Sequence, residues 1–228
     1  MDVLLSIIGA SVATWLAFLL LRSWRSSKRL HAEIWAIAFA AYAMATWALA
    51  IGLGFGWTPF SFRSFYFLGA IANIALLAAG SIALHSEKWG KRALNVTALW
   101  LVFGFFATFL APFTEALPIS GIPEGSEVFG FTFMIETLTL PGPRMFAAIS
   151  GAVGSIIIIV LAGVTVVRSW NSKRRLAYGN LLIVAGVLIP ATGGSLTALG
   201  QSAALSLTLT IGILLLWWGY TMAAGSRR

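Results

Sequence analysis

The sequence predicts an all-α polytopic membrane protein: one domain over residues 1–228 folded as a seven-transmembrane-helix bundle, N-terminus outside and C-terminus cytoplasmic. Three observations predict it. First, 59% of the 228 residues are hydrophobic and only 10% are charged, against about 25% charged in a soluble domain. A mean hydropathy of +0.92 agrees, and lipid must be the solvent for most of the chain. Second, seven apolar stretches approach the ~20 residues that cross a bilayer as helix. Third, the cations fall on one side of a seven-crossing chain.

The stretches run about Val3–Leu21, Ile34–Leu53, Phe65–Leu84, Ala93–Pro112, Met145–Val167, Leu176–Leu199 and Ala203–Met222. Helix is the form that satisfies backbone groups in lipid, and continuous apolar runs do not fit the alternating segments of a transmembrane barrel. Thirteen of the 15 Lys and Arg lie after the first, third, fifth and seventh stretches, leaving only Arg63 and Arg144 on the other side. Asp2, Glu115, Glu124, Glu127 and Glu136 fall on that cation-poor side. The positive-inside rule then fixes the orientation in the cytoplasmic (plasma) membrane, and it accounts for the net charge of +8 without nucleic acid as a partner. The first stretch follows Met1-Asp2 and precedes its cations, the reverse of a secretory signal, so it is expected to stay as a helix. Trp24, Trp57, Trp89 and Trp170 stand at predicted helix ends, where indole rings prefer the interface.

The connection after the first stretch reads RSWRSSKRL and that after the fifth RSWNSKRRL, identical at six of nine positions. Two readings stand: a 3+1+3 duplication with the fourth helix as linker, or convergence of basic inner loops. The long outer loop, about 113–144, opens with Pro118, Gly121, Pro123 and Gly125 and then reads EVFGFTFMIETLTL. Alternating Phe129, Phe131 and Phe133 share one face of an extended segment. A hairpin or strand over the bundle is expected, either plugging its outer mouth or anchoring in the headgroup layer.

No Asp, Glu, Lys or Arg lies in the middle of any stretch, which argues against ion-coupled pumping. Glu33 follows Arg29 by four residues, so a local ion pair is expected. The candidate ligand-binding residues are Tyr42, Asn73, Asn180, Thr192, Ser195 and Thr210. A mid-membrane amide such as Asn73 must face the interior and be bonded there; helix–helix glue is the alternative role for such groups. In the sixth stretch, Pro190 followed by Gly193-Gly194 predicts a broken helix that exposes backbone beside Thr192 and Ser195. Gly52, Gly54, Gly56, Gly151 and Gly154 are expected to permit close helix approach.

Enzyme chemistry finds no support. There is no cysteine, and the two histidines, His31 and His85, stand at inner helix ends, too few for a metal site and on the opposite face from Ser195, so no Ser–His pair forms. No metal and no cofactor are expected.

Seven helices with the N-terminus out and a 3+1+3 pattern resemble the rhodopsin and PQ-loop transporter superfamily in topology. A retinal protein of that kind needs a lysine in the seventh helix; here that helix reads LTLTIGILLL and the four lysines lie in inner loops. No Pro-Gln pair occurs. The phrases FRSFYFLGAIAN and GNLLIVAGVLIPATGG are similar to an uncharacterised bacterial seven-helix family, which implies no function. Three functions follow as expectations. The first is binding or transport of a small neutral or lipid-like molecule. The second is a structural or regulatory subunit beside other membrane subunits. The third is a sensory receptor without retinal, its short tail requiring a separate output partner.

Overall fold

The structure is a computed structural model that describes residues 2–118, 121–123, 125–197 and 202–225, with the side chains of 126–127, 191–197, 202–204 and 224–225 outside the description. In chain order it contains α1 (Asp2–Ser27), α2 (Leu30–Phe55), α3 (Pro59–Tyr66), a π-helical turn (Phe67–Ala72), α4 (Asn73–His85), α5 (Glu87–Leu110), α6 (Gly125–Val128), β1 (Thr132–Ile135), β2 (Leu138–Pro141), α7 (Pro143–Ser169), α8 (Arg174–Thr197) and α9 (Ser202–Gly225). Among the described residues, six segments are long and apolar enough to cross a membrane: α1, α2, the continuous run from α3 through α4, α5, α7 and Leu205–Ala223 of α9. Most helices extend a turn past their apolar stretches, because hydropathy marks only the hydrocarbon-embedded part of a helix. Local chemistry sets the ends. Thr58 and Ser61 form a reciprocal capping box with Pro59 at the first turn of α3, which satisfies amide groups a helix start leaves unpaired.

The helices close a ring. α1 packs on α2 and α9, α2 on α4, α4 on α7, α7 on α8, and α8 on α9. α5 stands outside this ring and packs mainly on α4. The tightest seam is α8 against α9, where glycines remove the side chains: a Cβ on Gly219 would lie 2.6 Å from the Gly179 carbonyl oxygen, and one on Gly212 would lie 2.5 Å from Pro190 Cγ. Lipid offers no hydrophobic drive between helices, so such close backbone packing holds them.

The expected break in the sixth stretch does not occur. α8 continues through Pro190 to Thr197, because Gly212 of α9 leaves room for the proline ring beside it. The irregular helix is instead the third. Phe67–Ala72 is a π turn, and the Asn73 amide donates to the Leu68 carbonyl five residues back. Arg29 and Glu33 form no ion pair: Arg29 is the extended N-cap of α2, so the two are not on one helical face, and their link is Glu33 N–H to Arg29 C=O at 3.3 Å. The glycine expectation holds in part. Gly52 is covered by Trp57 and Gly154 by Ile74, whereas Gly151 faces open space and Gly54 only touches Val3. The two similar basic phrases fold differently: α1 runs through Trp24 to Ser27, while α7 ends just before Trp170.

The long loop divides into two parts. Its second part is the expected hairpin, with Phe133 opposite Leu140 and Ile135 opposite Leu138 across a two-residue turn. Met134, Ile135 and Leu138 point outward. Its first part is the roof. Phe129 follows the short α6 rather than lying in a strand, is 0% exposed, and stacks on Phe62 at 5.6 Å and edge-on to Tyr66 at 5.0 Å. Phe131 is 51% exposed, so the three phenylalanines do not share a face; only Phe133 is in a strand. Arg63 holds the neighbouring helix end, its guanidinium donating to the carbonyls of Thr108 and, at 2.9 Å, Ala111 while lying 4.3 Å over Phe113. A cation at the carbonyl end of α5 also suits the helix dipole.

Because Phe129 fills a closed aromatic cluster, Phe129→Ala should cost about 3–5 kcal/mol, read as a lower melting temperature in detergent. Phe131→Ala should leave the melt within experimental error.

Candidate functional site: an apolar cavity inside the ring

Inside the ring lies a cavity of about 500 Å³. α2 supplies Tyr42, Ala45 and Thr46; the π turn supplies Gly69 and Ala70; α4 supplies Asn73 and Leu77. Ala147 and Gly151 of α7 and Gly186, Val187 and Pro190 of α8 form the opposite side. The roof is Pro123 and Gly125, the latter seated on Tyr66, whose ring would lie 2.3 Å from a Cβ at that position. Trp57 ties the same loop down by donating to the Gly121 carbonyl at 2.8 Å. Among the described residues, no charged side chain lines this cavity.

Among the described residues, four polar side chains reach its wall, and they differ in how they are satisfied. The Tyr42 hydroxyl donates to the Leu209 carbonyl of α9 at 2.8 Å, bridging the ring. Thr46 bonds back to the Tyr42 carbonyl at 2.7 Å, the usual resting place of a threonine hydroxyl in a helix. Tyr66 belongs to the aromatic roof. Asn73 is 8% exposed, and its Oδ1 is buried with no hydrogen-bond partner. A buried amide oxygen left unpaired costs about 1–3 kcal/mol. The amide can turn to present either end, so the group that completes it either donates to Oδ1 or accepts from Nδ2.

The π turn explains why Asn73 is there. A wide turn inserts one extra residue per bonded ring and shifts everything after it around the helix, and such turns recur at functional sites. Gly69 presents only hydrogen to the cavity there, beside the methyl group of Ala70.

The other predicted residues separate from this site. Thr210 is buried, but it donates to the carbonyls of Ser206 and Leu5, both at 2.8 Å, and joins α9 to α1. Asn180 lies at the opposite, basic end of the bundle and donates to the Leu176 carbonyl at 2.9 Å. It lines a second cavity of about 370 Å³ with Ser23, Arg29, His31, His85 and Thr165. There His85 Nδ1 stands 3.0 Å from the Ser81 carbonyl, which only accepts, so this nitrogen carries the proton. The side chains of Thr192 and Ser195 lie outside the described residues. Among the described residues no three His, Asp or Glu side chains gather closely enough to hold a metal ion.

Sequence reasoning found Tyr42 and Asn73 but missed the π turn, Tyr66 and the Pro123–Gly125 roof. Gly151 had been assigned to helix contact. Its open side is visible only once α7 has been placed in the ring.

Fold and site together define a multi-pass helical membrane protein with a predominantly apolar cavity within its ring of helices. No family model, curated protein or solved structure matches the chain.

Replacing Asn73 with leucine removes an unpaired amide and keeps a similar shape. The ligand-free protein should therefore melt higher, by about 1–3 kcal/mol of unfolding free energy. A lower melting temperature would show that Asn73 is already bonded.

Proposed function

We propose that this chain crosses the cytoplasmic membrane seven times, N-terminus outside, and serves as a non-enzymatic protein that binds or transports a small neutral or lipid-like molecule in the ring cavity. One observation carries the reading: the unpartnered Oδ1 of Asn73 on the wall of a 500 Å³ space whose lining, among the described residues, holds no charged side chain. Apolar walls with one or two placed polar groups are the usual character of small-molecule sites, and the volume falls within their range of about 300–1,000 Å³. The missing charge argues against an ionic ligand, since an unpaired ion would lose its hydration there. The distribution of Lys and Arg between helix ends supports the orientation. The position of α5 outside the ring suits a linker between two three-helix halves.

A second reading, a subunit of a larger membrane complex, draws on the same α5. Its outward face carries exposed Val96, Leu99, Phe103 and Phe106, and a groove of about 710 Å³ runs between it, α4 and α7.

Native mass spectrometry from mild detergent separates the two. A retained small molecule is expected, lost in Asn73→Leu. It should also be lost in Gly151→Phe, whose side chain has free room because a Cβ at Gly151 meets nothing within 4 Å. Protein subunits that co-purify without any retained small molecule would replace the first reading with the second.

A further inference from the structure

We propose that the axis of the ring is a closed translocation path and that Trp35 and Phe39 are its gate. The inference rests on reading the 500 Å³ cavity as a binding site for a neutral molecule.

A third space, about 40 Å³, lies between the two larger cavities. It shares Leu77, Val187 and Leu216 with the 500 Å³ cavity and Trp35, Ile183 and Tyr220 with the 370 Å³ cavity at the basic end. The small space therefore adjoins both larger ones, and the side chains it shares with each stand between them. Ser81 lines the small space, its hydroxyl donating to the Leu77 carbonyl at 2.8 Å.

Trp35 closes the small space on the basic side. Its Nε1 donates to the Leu77 carbonyl at 3.3 Å, and its ring lies where residue 80 has no side chain: a Cβ on Gly80 would come 2.3 Å from Trp35 Cδ1. Phe39, buried one turn further along α2, lines the same small space. Trp35 is held to α4 by this bond and by its seat on Gly80, and Phe39 packs in the apolar core without a polar bond, so opening the layer requires Phe39 to change rotamer and Trp35 to leave Gly80.

The surrounding helices allow such a change. α8 and α9 are joined by their glycines and pack on α7 and α1, whereas α2 and α4 face that pair across the cavities. A shift of the α8–α9 unit relative to α2 and α4 widens the path without unpacking either side. Tyr42 O–H to Leu209 C=O bridges the seam on the roofed side of the constriction.

The layer also sets the class of cargo. Among the described residues, no charged side chain lines the small space. An ion would surrender its hydration with nothing in return, whereas a neutral molecule leaves only a polar group or two unpaired. The cargo is thus a small uncharged molecule able to make a hydrogen bond with Asn73. The polar basic-end cavity is its aqueous vestibule.

The chain has no cysteine, so one introduced thiol reports on the path. In oriented proteoliposomes, Ser81→Cys should react from both faces with a sugar-linked methanethiosulfonate, which is neutral and membrane-impermeant. Reaction from one face alone, or from neither, overturns the path. Phe39→Ala should raise glycerol and erythritol flux at least tenfold over the unmodified protein, with Phe106→Ala on the lipid-facing surface as the unchanged control. Flux that stays flat in Phe39→Ala overturns the gate assignment. The two proposals fail separately. A retained ligand with an unreactive Cys at position 81 leaves a binding protein without a path. Reaction from both faces without a retained ligand keeps the path and removes the resident ligand.

Discussion

Hydrocarbon supplies no hydrogen bonds, so every polar group placed within it must find a partner in the protein. Most of this architecture is an answer to that constraint. Ser6, Thr14, Thr46, Ser81, Thr108 and Thr210 all return their hydroxyls to carbonyls of their own helices. Tyr42 and Thr210 do more: each reaches a carbonyl on another helix and so joins helices distant in sequence. Arg63 satisfies two carbonyls at the end of α5 that a helix terminus would otherwise leave open. Against this background the bare Oδ1 of Asn73 stands apart, and it stands beside space.

That space exists because of how the ring closes. Glycines weld α8 to α9 and admit Pro190 without breaking its helix. The π turn between α3 and α4 widens the opposite wall and turns Asn73 inward. The roof, packed by Phe129 on Phe62 and Tyr66, seals one end with aromatic rings, which bury large apolar area and stack with specific geometry. The basic end holds a separate cavity lined by Arg29, His31 and His85, with Trp35 and Phe39 lying between the two spaces.

Much of this is legible in residue order. The apolar stretches mark each helix, and the interior position of Asn73 follows from the cost of an amide in lipid. Pro118, Gly121 and Pro123 announce a loop, and a β segment is visible in its alternating residues. Other features are not legible. Phe129 and Phe131 look equivalent in sequence, yet one is the core of the roof and the other is exposed, because α6 turns the chain between Gly125 and Val128. Pro190 looks like a helix breaker, but its effect depends on Gly212, a residue on another helix. The wide turn at Phe67–Ala72 carries no proline and no distinctive polar residue, so residue identities give no notice of it. Arg29 and Glu33 have the spacing of an ion pair, and the start of α2 at Leu30 cancels it.

By itself the sequence determined the solvent, the helices and the sidedness of charge, because these depend on composition and on hydrophobicity along one dimension. Tertiary structure alone decided which helices became neighbours, which glycine faced packing and which faced a void, and which polar group went unpaired. Those outcomes depend on distances between residues remote in sequence: Tyr42 with Leu209, Gly212 with Pro190, Phe129 with Phe62. No local pattern encodes such distances, since each is fixed only when the ring closes and every helix takes up its rotation about its own axis.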